Sequence, residues 1–313
     1  MSGQLIVIGA GRVGLSLALD LATSLRFDGV AVVGRSTEVP ALLGSRTDIS
    51  YRVVPSGALV PDPPLSGGAP ETSLLFCVAD DNLSGLAAAW AEALDDHGSS
   101  TVRHAIHTSG LHRGEVLAPL RAAGAAVASW HPLVSLASPR RGAFRLVTFG
   151  VEGDADAVAM ARDLSRVLGA ESVLVKPEVK PLYHLAAVFG SNYLVACLAV
   201  ACRQLRASLA DDDDLALRHL LPLARSALEN LAESGLAAGA TGPVTRGDVG
   251  TIRGHLEALD PTARNLYRLL AAELFQLRDA ELADDVRTSM SELLGPGEGW
   301  ETSPGKGSAE HDE

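Results

Sequence analysis

The stretch KPLYHLAAVFGSNYLVACLAVAC, Lys180 to Cys202, puts a lysine and a histidine at the head of an apolar helix. At about 3.6 residues per turn, Lys180, His184 and Ser191 share a narrow sector of one face. Ala187 leaves space between them, and Asn192 lies slightly further round. An unpaired buried lysine is costly, and desolvation lowers its pKa. Groups aligned in this way suit the wall of an interdomain cleft. There a lysine or a histidine can protonate a developing alkoxide. The plainer alternative makes Lys180 an exposed first-turn residue and His184 a satisfied core histidine.

A second constellation lies near the start of the chain. Gly9, Ala10, Gly11, Arg12, Val13 and Gly14 spell G-A-G-R-V-G. The motif stands between an apolar strand, QLIVIGA, and an amphipathic helix, VGLSLALDLATSL, which is the context that gives it meaning. One glycine makes the tight turn, the next lets backbone approach a pyrophosphate, and the third lets helix and strand pack closely. The helix N-terminus adds free N–H groups and positive dipole. The following strand ends in VVGRS, where Arg35 and Ser36 stand in place of the acid that holds an NAD ribose. A cation and a hydroxyl suit a 2′-phosphate, so the expected cofactor is NADP(H). Ala79 and Asp80, ending SLLFCVA, are placed beside it.

Further polar groups end the later strands. His107, Ser109 and Gly110 come from HTSG, and His131 and Pro132 from WHPL. In a doubly wound sheet these carboxyl ends line the ligand crevice. Arg246, in GPVTRGD, suits bidentate binding of a substrate carboxylate, or else a structural turn with Asp248. Asp248 or Thr251 is positioned to cap the helix that follows. The spacing of His104, His107 and His112 matches no standard zinc arrangement, so no metal is expected.

These groups need elements to hold them. Up to Lys176, short strands alternate with helices: QLIVIGA, GVAVVG, SLLFCVA, VRHAIHTS, AAVASW, FRLVTFGV and SVLVK are the strands. Repeated βα units imply a mostly parallel sheet covered on both faces. Beyond Lys176 the patterns are helical. The expected architecture is α/β: a Rossmann-type doubly wound parallel sheet followed by an all-helical C-terminal domain. Its domains are residues 1–176 for NADP, 177–294 for substrate and dimerisation, and a disordered tail at 295–313. The loop Pro61–Glu71 and the acidic run Asp211–Asp214 are solvated segments.

Composition narrows the class. The chain has 313 residues, is 47% hydrophobic and carries a formal net charge of -12. That balance gives no basic face for nucleic acid and no pull toward an anionic membrane. The run Leu185–Cys202 has the length of a membrane span, but Gly190, Ser191 and Asn192 interrupt it, so a buried core helix is expected. Cys77, Cys197 and Cys202 read as buried free thiols of a reducing compartment. The opening MSGQLIVIGAG passes directly into a strand, and the expected location is cytoplasmic.

Taken together, G-A-G-R-V-G, VADD, HTSG, HPLVSL, KPLYHLAAVFGSN and GPVTRGD resemble the Rossmann-like family that carries the domain of unknown function 2520, over roughly residues 4–290. The resemblance implies a helical second domain like that of 6-phosphogluconate dehydrogenase, and usually a dimer. The wider superfamily includes ketopantoate reductase, 3-hydroxyacid dehydrogenases, pyrroline-5-carboxylate reductase and prephenate dehydrogenase. By likeness to several of these, Lys180 and Asn192 are catalytic counterparts, with His184 able to take one role. His131-Pro132 resembles the His-Pro of prephenate dehydrogenases. The resulting expectation is an NADPH-dependent reductase of a small 2-oxo acid or related carbonyl compound, like ketopantoate reductase. The alternatives are an NADP-dependent hydroxy-acid or prephenate-type dehydrogenase, and a non-catalytic NADP-binding sensor. The expected partners are a small-molecule substrate and a second copy of the chain, joined through the helical domain.

Overall fold

The computed structural model describes residues 3–24, 26–44, 46–55, 58–60, 71–96, 102–209 and 213–295. Residues 61–70 of the expected loop, the tail from residue 296, and Asp211 and Asp212 lie outside them. The chain divides into two compact units, Met1–Tyr193 and Leu194–Glu313, so the expected boundary at Lys176 falls within the first.

The first unit is built on eight strands: β1 (Gln4–Ile8), β2 (Gly29–Gly34), β3 (Ile49–Val53), β4 (Thr72–Phe76), β5 (Val102–His107), β6 (Ala126–Pro132), β7 (Thr148–Gly153) and β8 (Glu171–Leu174). Their order is β3-β2-β1-β4-β5-β6-β7-β8. All neighbours run parallel except β6 and β7, which are antiparallel. The order reverses between β1 and β4, where a doubly wound sheet opens its ligand crevice. The helices of this unit are α1 (Arg12–Leu21), α2 (Leu83–Asp96), α3 (Ala118–Ala122), α4 (Ala155–Val167) and α5 (Lys180–Val188).

Strand β1 shows why the sheet needs cover on both faces. Its side chains alternate, and both sets are apolar. Leu5 and Val7 join one core with Leu17 and Leu21 of α1 and with Met160 and Leu164 of α4. Ile6 and Ile8 join another with Ala87 and Trp90 of α2 and with Leu120 of α3. On the first face Trp130 stacks on Phe149 at 4.4 Å, and its indole N–H donates to Ser165 Oγ at 2.9 Å. A buried indole needs such a partner.

Strand β3, ISYRV, is an addition to the strands read from the sequence. It is an edge strand with several exposed positions, so it lacks the apolar run that marks its neighbours. The expected strand FRLVTFGV is shorter than read, since residues 144–147 form turns and β7 begins at Thr148.

The second unit holds α6 (Leu194–Leu209), α7 (Asp213–Gly239), α8 (Val249–Ala258), α9 (Pro261–Gln276) and α10 (Asp284–Leu294). Asp248 caps α8 by accepting from the Thr251 amide at 3.1 Å. A small core gathers Val244, Ile252, Leu256, Ala271, Met290 and Leu294.

The helix around Leu185–Cys202 departs from expectation. Helix α5, one π-helical turn at Phe189–Tyr193, and α6 form continuous helix from Pro177 to Leu209. It is long and apolar enough to cross a membrane, yet only 6% of its most apolar stretch is buried. Leu182, Phe189 and Val195 are each more than 60% exposed. A helix apolar on every side is ordinarily buried in a core or a membrane, and this one is not covered within the single chain. The cysteines follow suit: Cys202 is buried, while Cys77 and Cys197 are only partly so.

Lys180, the first residue of α5, is 1% exposed. Its ammonium donates to Ser129 Oγ on β6 and lies 3.3 Å from Glu152 Oε1 on β7. The same carboxylate oxygen accepts the Gly114 amide at 2.6 Å, and Ser129 Oγ donates to the Ser109 carbonyl at 3.1 Å. Burial pulls the lysine pKa below its ordinary value, and the charges of Glu152 and Asp80 pull it back. This joint fastens α5 to two strands and to the turn after β5. Removing one partner of a buried pair strands the other charge, at a cost of about 3–5 kcal/mol. Lys180→Met should therefore lower the denaturant unfolding free energy by about that much. Lys180→Met combined with Glu152→Leu should lose clearly less. A single-variant loss under about 1 kcal/mol would remove the joint from the account.

Candidate functional site

The loop from β1 to α1 forms a cradle. Gly9 has φ +114°, a left-handed conformation that favours glycine, and a Cβ there would overlap the Cys77 carbonyl. Gly14 packs so closely on the Gly9 carbonyl that a Cβ would overlap it too. A Cβ on Gly11 would meet only open space. Gly11 caps α1 with no side-chain bond to its first amides. Free N–H groups facing an open cleft are the geometry that binds phosphate.

The cleft beside this cradle has a volume of about 760 Å³. Gly9, Ala10, Gly11, Arg35, Ser36 and Ala79 line it. Tyr51 of β3 also lines it, a residue sequence reasoning passed over along with its strand. The Tyr51 hydroxyl donates to the Ser36 carbonyl at 3.1 Å, and Ser36 Oγ accepts the Glu38 amide at 3.1 Å. These bonds shape the turn that carries the exposed Arg35. The residues present fit a dinucleotide. Three expected residues turn their side chains elsewhere, while the backbone amides of Arg12 and Val13 remain in the first turn of α1. The Arg12 guanidinium donates to the Leu136 carbonyl at 3.0 Å, and Val13 packs on the core. Asp81 and Asn82 line the cleft in place of Asp80, whose charge acts on Lys180 and His131.

At the ends of β5 and β6 the polar residues separate into two groups. His107 is fully buried, and both its ring nitrogens serve backbone. Nδ1 accepts the Ser109 amide at 3.1 Å, and Nε2 therefore donates to the Arg113 carbonyl at 3.0 Å. Burial pushes its pKa down to about 3. Ser109 Oγ accepts the amides of Leu111 and His112 at 3.2 and 3.0 Å. Expected to bind substrate, His107 and Ser109 instead shape the turn HTSG, and buried Pro132 belongs to β6. Lys180 is likewise turned into the joint with Ser129 and Glu152, away from the role of an open proton donor.

His131 and His184 form the other group. Their rings lie 5.7 Å apart at 80°. Gly110 lets them meet. A Cβ there would be 2.9 Å from His131 Nε2 and would overlap His184 Nδ1. His184 Nδ1 is buried and has no hydrogen-bond partner. Burial, then the charges of His184 and Lys180, push the His131 pKa down to about 4. Tyr183 completes the cluster, with its hydroxyl 3.2 Å from His131 Nδ1. Burial raises its pKa to about 12. Sequence reasoning missed Tyr183 because an aromatic residue in an apolar helix reads as packing. Its place next to His184 and three residues after Lys180 was the available signal.

The π-helical turn alters the expected row on the helix. A π turn takes one extra residue, which sets everything beyond it back by about 100° relative to an α-helix. Ser191 and Asn192 both lie within that turn, so the α-helical spacing that aligns them with Lys180 and His184 does not hold there. Ser191 Oγ bonds the Ala187 carbonyl at 2.8 Å and Asn192 Oδ1 at 3.0 Å. Arg246 belongs to the second unit, where hydrogen bonds from Thr251, and then the charge of Arg246, hold the Asp248 carboxyl below its ordinary pKa. Among the described residues no group of three or more His, Cys, Asp or Glu side chains is placed to hold a metal.

The arrangement can therefore cradle a dinucleotide at β1 and β2 and bring together imidazole groups from the end of β6 and from α5. Imidazole is the side chain best suited to moving protons near neutral pH.

Solved structures share this fold. Protein TM1727 from Thermotoga maritima is 20% identical, with 88% of this chain and 99% of that one covered, at a TM-score of 0.61. Protein BF3122 from Bacteroides fragilis, described as a candidate NADP oxidoreductase, is 22% identical over 87% and 98% of the two chains, at 0.62. The pyrroline carboxylate reductase of Plasmodium falciparum, solved with NADP bound, is 12% identical over 94% and 98%, at 0.50. At such identities the likeness is one of fold. Among curated protein sequences none matches. Residues 147–274, from the start of β7 into α9, match the model of the family described as domain of unknown function 2520.

Proposed function

We propose that this protein is an NADPH-dependent oxidoreductase that reduces a small 2-oxo acid or a related carbonyl compound, in the manner of ketopantoate reductases. The observation that carries the reading is the pairing of His184 and His131 at the carboxyl edge of the sheet whose first crossover forms the dinucleotide cradle. The NADP-bound and NADP-oxidoreductase structures that share the fold support the choice of cofactor.

NADPH supplies the hydride. Arg35 and Ser36 hold its 2′-phosphate, and the Gly9–Gly14 turn holds its pyrophosphate. His184 gives the proton to the substrate oxygen. Of the two donors that sequence leaves open, Lys180 is committed to Ser129 and Glu152, whereas His184 is not. Asn192 orients the substrate from the same helix. The exposed apolar residues of this helix are covered by a second copy of the chain, giving a cytoplasmic homodimer.

Titration with both nucleotides, followed by nicotinamide fluorescence, tests the cofactor. Arg35→Ala should weaken NADPH about 10- to 100-fold, the worth of a charge-assisted contact, and leave NADH unchanged. Equal loss of both nucleotides would dismiss Arg35 as the selector.

With a panel of 2-oxo acids that includes ketopantoate, His184→Gln should lower kcat at least about 100-fold, with little change in KM. NADPH binding without turnover of any carbonyl compound or hydroxy acid would leave a nucleotide-binding sensor. For the dimer, light scattering should give twice the chain mass across a wide range of dilution. A monomer mass at every concentration would reject it.

A further inference from the structure

The Tyr183 hydroxyl occupies an unusual place in the sheet. His131 and Gly150 face one another across the antiparallel pair β6–β7. The hydroxyl accepts the Gly150 amide at 3.1 Å and donates to the His131 carbonyl at 3.3 Å. It thus bridges two strands from a helix. Gly150 makes this possible, because a Cβ there would overlap the tyrosine ring. The site is built around the ring rather than merely tolerant of it.

A tyrosine hydroxyl has one proton to give. With that proton on the His131 carbonyl, the 3.2 Å contact to His131 Nδ1 is a hydrogen bond only if Nδ1 carries its own hydrogen. The other nitrogen, Nε2, then holds a lone pair. It lies beside Gly110, at the point on which His184 Nδ1 also converges. His184 Nδ1 is a buried atom that lacks a partner.

We infer that Tyr183 is a positioning residue: it holds His131 as the Nδ1–H tautomer, so that His131 Nε2 keeps a lone pair on the side of His184. This rests on the proposed reductase only for the identity of the atom that His184 serves. In that reaction the N–H bond at His184 Nε2 breaks as an O–H bond forms on the substrate oxygen, made negative by hydride transfer. The bonding pair stays on the imidazole, which becomes neutral and keeps its Nδ1 hydrogen. Water returns the lost proton. His131 must stay neutral throughout. Its burial and the charges of His184 and Lys180 on α5 oppose its protonation, against the single opposing charge of Asp80.

Long-range proton–nitrogen NMR of the 15N-labelled full chain tests the inference without nucleotide or substrate. His131 should show a protonated Nδ1 and a pyridine-type Nε2. Tyr183→Phe should release that tautomer into a mixture, and in turnover it should lower kcat while KM holds. A His131 that carries its hydrogen on Nε2 in the wild-type protein overturns the inference, whether or not the variant folds. An unchanged tautomer in a folded Tyr183→Phe overturns it as well. Loss of the reductase reading shows separately, as absence of turnover with the tautomer intact.

Discussion

The ammonium of Lys180, taken out of water between β6 and β7, is the constraint on which the rest of the site depends. A buried charge is tolerated only with a counter-charge and hydrogen bonds around it. Glu152 and Ser129 supply both, and each of these is bonded in turn to the segment that follows β5. One charge thereby fixes the start of α5 against two strands and a turn. Tyr183 and His184 sit within the first turn and a half of that helix, so their positions on the sheet are set by the anchor below them. A lysine that placed its ammonium in an open cleft would leave α5 free to pivot. Here the cost of burial is converted into geometry.

That conversion explains both what the sequence discloses and what it hides. G-A-G-R-V-G is legible because its constraint is local: strand, turn and helix follow one another without interruption, and Gly9 and Gly14 have a steric reason to be there. The βα alternation is legible for the same kind of reason, since strands such as β1 are apolar on both faces. Lys180 is a different matter. The sequence leaves open whether it is buried or exposed, and what it meets is a glutamate 28 residues earlier, with no periodicity to link the two. His107 and His131 look alike in sequence, each ending a strand. Only the fold separates them, giving both nitrogens of one to backbone and leaving the other beside His184. Tyr183 is hidden by its own chemistry, since a phenol in an apolar helix reads as ring until its hydroxyl is found between two strands.

Glycine does as much to build the site as the residues that carry charge. Gly110 and Gly150 both have ordinary backbone angles; neither is among the residues with positive φ. Their value lies in space: the two imidazoles fill the place of one missing side chain, and the tyrosine ring the place of the other. Such glycines leave no turn signature and cannot be told from flexible ones by reading along the chain.

The long helix poses the remaining physical question, because its apolar surface is mostly in water in a single chain. The second unit has a small core of its own, gathered on α8, α9 and α10 and the turn before them. Within that unit α6 packs on α7, which is itself studded with exposed leucines such as Leu223 and Leu236. Packing one under-covered helix on another does not solve the problem of either. Contiguous exposed apolar surface of this kind marks an interface. A lipid bilayer could cover such a helix only where it is free of the sheet. The first turn of α5 is instead tied to β6 and β7 by a buried lysine and by a tyrosine hydroxyl bonded to strand backbone. A second copy of the chain makes no such demand, since it can cover the apolar flank and leave the polar face with Lys180 and His184 undisturbed.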